Sequence, residues 1–346
     1  MFKRTLLASS AIAALALPTT AMSAERIKLG VGGFMSQYFG YAESDVANSD
    51  GFDQQTDAEI HFTGETVLDN GLTIGVNVQL EAQQSGDQID QQFAYIEGSF
   101  GAIYIGGEAS APALMSTNVP SAGIGLDSGD ASNWIAGIDN NLITTHGNFT
   151  RDEDASEKLS YFTPRFQGFQ LGVSYVPETA EDIDAAPNTN NGVRDNAFGV
   201  AANYDNSFGD FSIMASAAYM DYGDDDALAG AGDIENLGFG LVVGYGPFSV
   251  AAAYNDLDGS PVGGSIESFG FSGSYSSGPF GVSLAYITGE DKAAGTEADG
   301  FELGGSYALG PGVSAVGSIY YVDQENPAAV GDVEGFAIVG GLALAF

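Results

Sequence analysis

Hydrophobic side chains in this chain recur at every second position over many short stretches. Leu72, Ile74, Val76, Val78 and Leu80 alternate with Thr73, Asn77, Gln79 and Glu81. Phe169, Leu171, Val173 and Tyr175 alternate with Gln170, Gly172 and Ser174. The series Phe248-Val250-Ala252-Tyr254, Phe280-Val282-Leu284-Tyr286 and Phe301-Leu303-Gly305-Tyr307 repeat the pattern. A β-strand turns successive side chains to opposite faces, so each run predicts a strand with one apolar and one small or polar face. The last segment does the same: Phe336, Ile338, Leu342, Leu344 and Phe346 share one parity, with only Gly, Ala and Val between them. The rhythm weakens in the first strand, near Met35 to Gln37.

The runs come in pairs. Tight turns rich in Gly, Pro, Asn or Asp are expected at 69–71, 98–101, 164–168, 206–210, 246–247, 277–279 and 310–312. Longer, acidic connections are expected at 43–57, 83–89, 108–150, 178–196, 223–234, 256–266, 289–299 and 324–333. Seven turns join fourteen strands, and a first and a last strand make sixteen. Many runs begin with Phe beside a tight turn and end with Tyr beside a long loop, the placement of two interfacial aromatic girdles. No charge interrupts the apolar series. These features predict an all-β fold: a sixteen-stranded antiparallel transmembrane β-barrel over residues 24–346, with short turns at one end and long loops at the other. A secreted β-sandwich or solenoid would share the alternation, but it explains neither the one-sided loops nor the apolar closing segment.

Composition changes the picture at three points. Lys3 and Arg4 precede an apolar stretch from Leu6 to Leu17 and then small residues, which predicts a signal peptide over 1–23. That stretch is shorter than the about 20 residues a spanning helix needs. Cysteine is absent, so neither disulfides nor thiolate metal sites hold the fold. The chain has nine Lys and Arg against 46 Asp and Glu. Two of the nine leave with the leader, and the rest form no basic surface for phosphates, which excludes nucleic acid as a partner. Enzyme motifs such as Gly-x-Ser-x-Gly or His-Glu-x-x-His are missing, and His61 and His146 are the only histidines. No enzymatic activity and no required cofactor are expected.

Three stretches carry a resemblance. Gly101-Ala-Ile-Tyr-Ile-Gly-Gly-Glu108 resembles the porin strand that leads into the constriction loop. Lys158 to Tyr161, continued through 164–169 to Ser174-Tyr175, resembles the hairpin after that loop. Residues 336–346 resemble the porin closing strand. In this order the chain resembles a general porin of Gram-negative bacteria, closest to the alphaproteobacterial type. The resemblance implies a homotrimer in the outer membrane, in contact with lipid and lipopolysaccharide. It implies short periplasmic turns and a third loop folded into the barrel. It also implies that small hydrophilic solutes diffuse through each barrel, and that the terminal Phe346 is read by the barrel-assembly machinery.

On this basis the connection from about 109 to 150 is expected to be the constricting loop, with Glu108, Asp127, Asp130 and Asp139 as its acids. A solvated surface loop is the alternative, but the Leu, Ile, Met and Trp134 in it argue for packing. Parity turns Arg26, Lys28, Glu59, His61, Glu65 and Lys158 toward the opposite wall of the lumen. So few cations depart from the family's basic cluster. Acidic walls within about 8 Å, the Debye length at physiological salt, enrich cations, so cation selectivity is expected. Inward aromatics are few (Phe34, Tyr38, Tyr104, Phe162), which makes a solute-selective ladder a weaker alternative, beside a non-conducting adhesin. Carboxylates are hard ligands, so Asp152, Asp154, Asp224, Asp225 and Asp226 are candidate Ca2+ or Mg2+ ligands in external loops.

Overall fold

The computed structural model describes residues 26–84, 88–127, 130–145, 149, 155–179, 194–223, 233–259, 265–327 and 331–346. Sixteen strands form one closed antiparallel barrel in which each strand pairs with its sequence neighbours. They are β1 (Lys28–Ser44), β2 (Gly51–Val67), β3 (Thr73–Glu81), β4 (Ile89–Gly98), β5 (Gly101–Gly107), β6 (Glu157–Phe162), β7 (Phe169–Glu178) and β8 (Asp195–Phe208). The circle continues with β9 (Phe211–Asp221), β10 (Glu235–Tyr245), β11 (Phe248–Asp258), β12 (Ile266–Ser277), β13 (Phe280–Asp291), β14 (Thr296–Gly310), β15 (Val313–Glu325) and β16 (Val333–Ala345). A backbone exposed to lipid has no water to bond, so a membrane-crossing sheet must close on itself. Here β1 and β16 do so, with partners running from Phe34↔Ala345 to Ser44↔Gly335. Phe346 completes the seam, its N–H donating to Gly33 O (3.1 Å) and its O accepting from Gly33 N (3.0 Å).

The seven tight turns fall where the sequence predicts them. Two of the long loops do not. The connection expected over 43–57 shrinks because β2 starts at Gly51, and the one expected over 289–299 shrinks because β13 reaches Asp291 and β14 starts at Thr296. Acidic residues suggested loop at both places, yet a carboxylate side chain does not prevent its backbone from continuing the ladder. Glu290 pairs directly with Glu297, and Asp53 with Gly40.

Outward residues on the described strands are large and exposed: Leu284 at 60%, Val250 at 61% and Phe239 at 49%. Only a lipid-facing surface makes that favourable. Aromatic rings from adjacent strands touch in two tiers. Near the long loops lie Tyr254–Phe269 (4.7 Å) and Tyr286–Phe301 (4.7 Å); near the turns lie Phe248–Tyr275 (5.0 Å) and Phe280–Tyr307 (4.8 Å).

Candidate pore lining

The long segment after β5 lies against the inner wall, and inward serines hold its backbone there. Ser110 caps the short helix α1 (Ala111–Met115), which has Pro112 in its first turn, where a missing N–H costs nothing. Ala111 N donates to Ser174 Oγ on β7 (2.7 Å), and Thr117 N to Ser216 Oγ on β9 (2.8 Å). Ala122 N donates to Ser283 Oγ on β13 (2.7 Å), and Ile124 N to Ser318 Oγ on β15 (2.8 Å). At these four points a short wall side chain with one hydroxyl meets a loop N–H, while Glu302 Oε1 accepts from Gly125 N (3.0 Å), so irregular backbone at membrane depth finds partners on the wall. Contact is close enough to demand glycine at one point. A Cβ on Gly240 would stand 1.9 Å from Thr117 O.

Apolar packing adds to these bonds. Leu126, Ile135, Leu142, Ile143 and Phe149 are completely buried with Tyr320, Val322, Met220 and Leu257 of the wall. The segment then reaches the first strands, where Gln55 Nε2 donates to Asn133 O (2.6 Å) and Ser44 Oγ to Ala136 O (2.8 Å).

The acids expected on this loop take up distinct places. Asp127 is 3% exposed; its carboxylate accepts from Val119 N (2.7 Å), Thr145 N (2.5 Å), Thr145 Oγ1 (2.7 Å) and Thr144 Oγ1 (3.2 Å). It therefore ties the outgoing and returning halves of the loop together. Asp139 caps a short 3-10 turn, accepting from Asn141 N (3.0 Å), while its own N–H donates to Gln324 Oε1 (2.7 Å). Asp130 lies half-buried in another 3-10 turn. Glu108 is 4% exposed at the loop's root, and Lys158, 5% exposed, donates from Nζ to Glu108 O. These two are brought together, and neither side chain is presented to open water.

The opposite wall is where carboxylates accumulate. β2 turns Asp53, Asp57, Glu59 and Glu65 inward, with His61 between the last two; His61 Nε2 lies 2.7 Å from Glu59 Oε2. Glu81 of β3 stands directly opposite Glu59, and Glu97 of β4 directly opposite Thr73. Lys28 pairs in register with Glu65, whose carboxylate accepts from Tyr95 OH (3.0 Å). Arg26 precedes the first strand and is exposed. Sequence reading placed Asp53 and Asp57 in a loop and passed over Glu97. Continuing the parity of Glu59 back through 57, 55 and 53 was the signal that would have found the first two.

Two further inward aromatics, Phe93 and Tyr95, also escaped the sequence reading. With Tyr104 and Phe162 they form a contiguous patch, Phe93 stacking on Tyr104 at 5.3 Å and Tyr104 meeting Phe162 at 5.2 Å. The Tyr95 ring lies flat on Gly75, where any Cβ would come within 2.1 Å of it, and only 3% of the residue is exposed. Asp152, Asp154, Asp224, Asp225 and Asp226 lie outside the described residues. Among the described residues no group of three or more His, Asp or Glu side chains has the geometry to hold a metal ion.

A family model described as Gram-negative porin matches residues 8–327. No curated protein matches the chain in sequence. Among solved structures, the anion-selective porin from Comamonas acidovorans superposes with a TM-score of 0.66 at 18% identity, covering 93% of this chain and 100% of that one. OmpF of Salmonella typhi, solved with daunomycin, gives 0.63 at 16% identity, covering 92% and 98%. OmpT, an outer membrane protein of Vibrio cholerae in its trimer form, gives 0.62 at 11% identity, covering 94% and 100%. At these identities the likeness is one of fold.

Proposed function

Because the chain belongs to the Gram-negative porin family and forms an outer-membrane channel for passive diffusion, we propose that its pore is cation-selective and bounded by the inward loop on one side and the acidic wall of β2–β4 on the other. The observation that carries this reading is the imbalance on that wall. Asp53, Asp57, Glu59, Glu65, Glu81 and Glu97 face the lumen, against Lys28 and His61. The Comamonas relative has the same fold and is anion-selective, so the fold leaves the sign of selectivity open and the side chains decide it. Within a water-filled bore comparable to the Debye length, about 8 Å at physiological salt, such a wall raises the local cation concentration.

In this reading the loop narrows the lumen by its bulk, while its own acids Asp127 and Asp139 serve its folding. The family's transverse field between loop acids and wall cations is replaced here by a one-signed wall. Trimeric assembly, contact with lipopolysaccharide and recognition of Phe346 by the assembly machinery complete the proposal, with Ca2+ or Mg2+ at the external acid runs.

A solute-selective channel is the second reading, favoured by the aromatic patch of Phe93, Tyr95, Tyr104 and Phe162. Phe93 and Tyr95 lie almost fully buried against the wall, so they offer a passing solute little ring surface and the general pore is preferred.

The reversal potential of the reconstituted protein across a KCl gradient tests the selectivity. It should take the sign set by K+. A potential of the Cl− sign would refute the reading, and saturable block of conductance by one solute class would favour the second.

A further inference from the structure

We propose, on the basis of the cation-selective reading above, that His61 is the residue that grades this pore's preference for cations. Its unprotonated form gives the strong preference, and a proton on its ring weakens it between about pH 8 and about pH 5.

Carboxylates and lysines ordinarily keep their charges over that range, and histidine is the side chain that changes it. His61 is placed where such a change is felt. It points inward from β2 with 23% of its side chain exposed, so protons from the lumen reach it. Gly32 stands opposite on β1, so the residue facing it there has no side chain to cover the ring. Phe34 meets the imidazole edge-to-face, with centroids 6.3 Å apart and planes at 86°. Gln79 stands opposite on β3, and its amide donates to Gln91 Oε1 on β4 (2.8 Å). Packing thus orients the ring, and its Nε2 is directed to Glu59 Oε2, 2.7 Å away. In the neutral ring that nitrogen carries the hydrogen and donates it to the carboxylate. A second proton, taken up at Nδ1, turns the same contact into an ion pair.

The charged groups around the ring are acids with one exception. β2 contributes Asp57 and Glu59 on one side and Glu65 on the other. β3 adds Glu81, directly opposite Glu59, and β4 adds Glu97. The inward loop meets β2 at Gln55 through Asn133, and Asp130 opens that turn of the loop. The exception is Lys28 of β1, in register with Glu65. Lys28 offsets a fixed amount of this charge, whereas His61 offsets a variable amount. With the ring neutral, Glu59 and Glu81 stand as two adjacent negative charges; with the ring protonated, only one is left uncompensated. A unit charge one Debye length away, about 8 Å at physiological salt, changes the local cation-to-anion ratio in water by about two-fold. The 2.7 Å contact would equally suit a histidine that only fixes the Glu59 rotamer, and the pH dependence separates the two roles.

The test is the K+/Cl− permeability ratio of the reconstituted protein, read from reversal potentials across a KCl gradient at about pH 8 and about pH 5. The native ratio should fall by about two-fold on acidification. His61→Gln, which can still donate to Glu59 but carries no charge, should hold the high ratio at both pH values. His61→Lys, positive throughout, should hold the low ratio at both. His146, the chain's other histidine, lies outside the described residues, and His146→Gln should behave as the native protein does. A native ratio that does not move, or that falls as much in His61→Gln, overturns the proposal. Heat-sensitive mobility shows that each barrel is folded, and because the two His61 variants are expected at opposite plateaus, either one alone decides the matter. A Cl− sign at both pH values refutes the cation-selective reading itself. A K+ sign without a His61-dependent change refutes the assignment to His61 and leaves the cation-selective pore standing.

Discussion

Replacing Asp127 with Ala should release the inward loop without unfolding the barrel. The carboxylate accepts four hydrogen bonds, two from backbone N–H groups (Val119 and Thr145) and two from threonine hydroxyls. The hydroxyls can rotate toward other acceptors; the backbone donors cannot. Leaving two buried donors unmet costs about 1–3 kcal/mol each, so loop attachment weakens by about 2–6 kcal/mol. A loss of about 3 kcal/mol changes the ratio of attached to released loop by more than 100-fold. The barrel ladder does not depend on this residue, because the strands on either side pair with each other regardless of the loop. In planar bilayers the Asp127→Ala channel should show larger and noisier single-channel conductance at unchanged heat-sensitive mobility. Asp127→Asn, which keeps one acceptor oxygen, should fall between it and the native protein. Native conductance and noise in the alanine variant would show that the carboxylate does not hold the loop, and the assignment of Asp127 to folding would fail.

Further expectations follow from the same geometry. Gly75→Val should lift the Tyr95 ring off the wall, break its bond to Glu65 and lower single-channel conductance; an unchanged record would mean that the ring does not border the open lumen. Leu241→Arg, on the lipid face, should destabilise the barrel by about 2–4 kcal/mol in urea titrations in lipid vesicles. Thr63→Arg, inward and between Glu65 and His61, should cost far less and reduce cation preference. A greater cost at Thr63 than at Leu241 would reverse the inside and outside assignments, and equal costs would refute the distinction between them.

How much of this was legible in the chain differs by element. Two-residue alternation, together with seven Gly/Pro/Asn turns, determined strand number, pairing order and which face meets lipid, because each of these follows from local geometry and the solvent on either side. It also predicted that the chain would end in the seam, and Phe346 is bonded to Gly33 there. Strand ends were less legible. Asp53, Glu290 and Asp299 are poor strand formers in isolation, yet they sit in ladders held by neighbouring strands, so pairing overrode local preference.

The acids carried the sharpest division. From sequence, Asp127 and Asp139 were candidate constriction acids indistinguishable from Asp130. Only the folded path of the loop brings Val119, Thr144 and Thr145 around the first and the part-buried Asn141 N–H to the second. Conversely, Glu59 and Glu81 are far apart in the chain and become opposite neighbours on the lumen wall through strand register alone. Alternation is a property of consecutive residues, so the chain determines it by itself. Which charge faces which across a cylinder depends on shear and closure, quantities that exist only once all sixteen strands have paired.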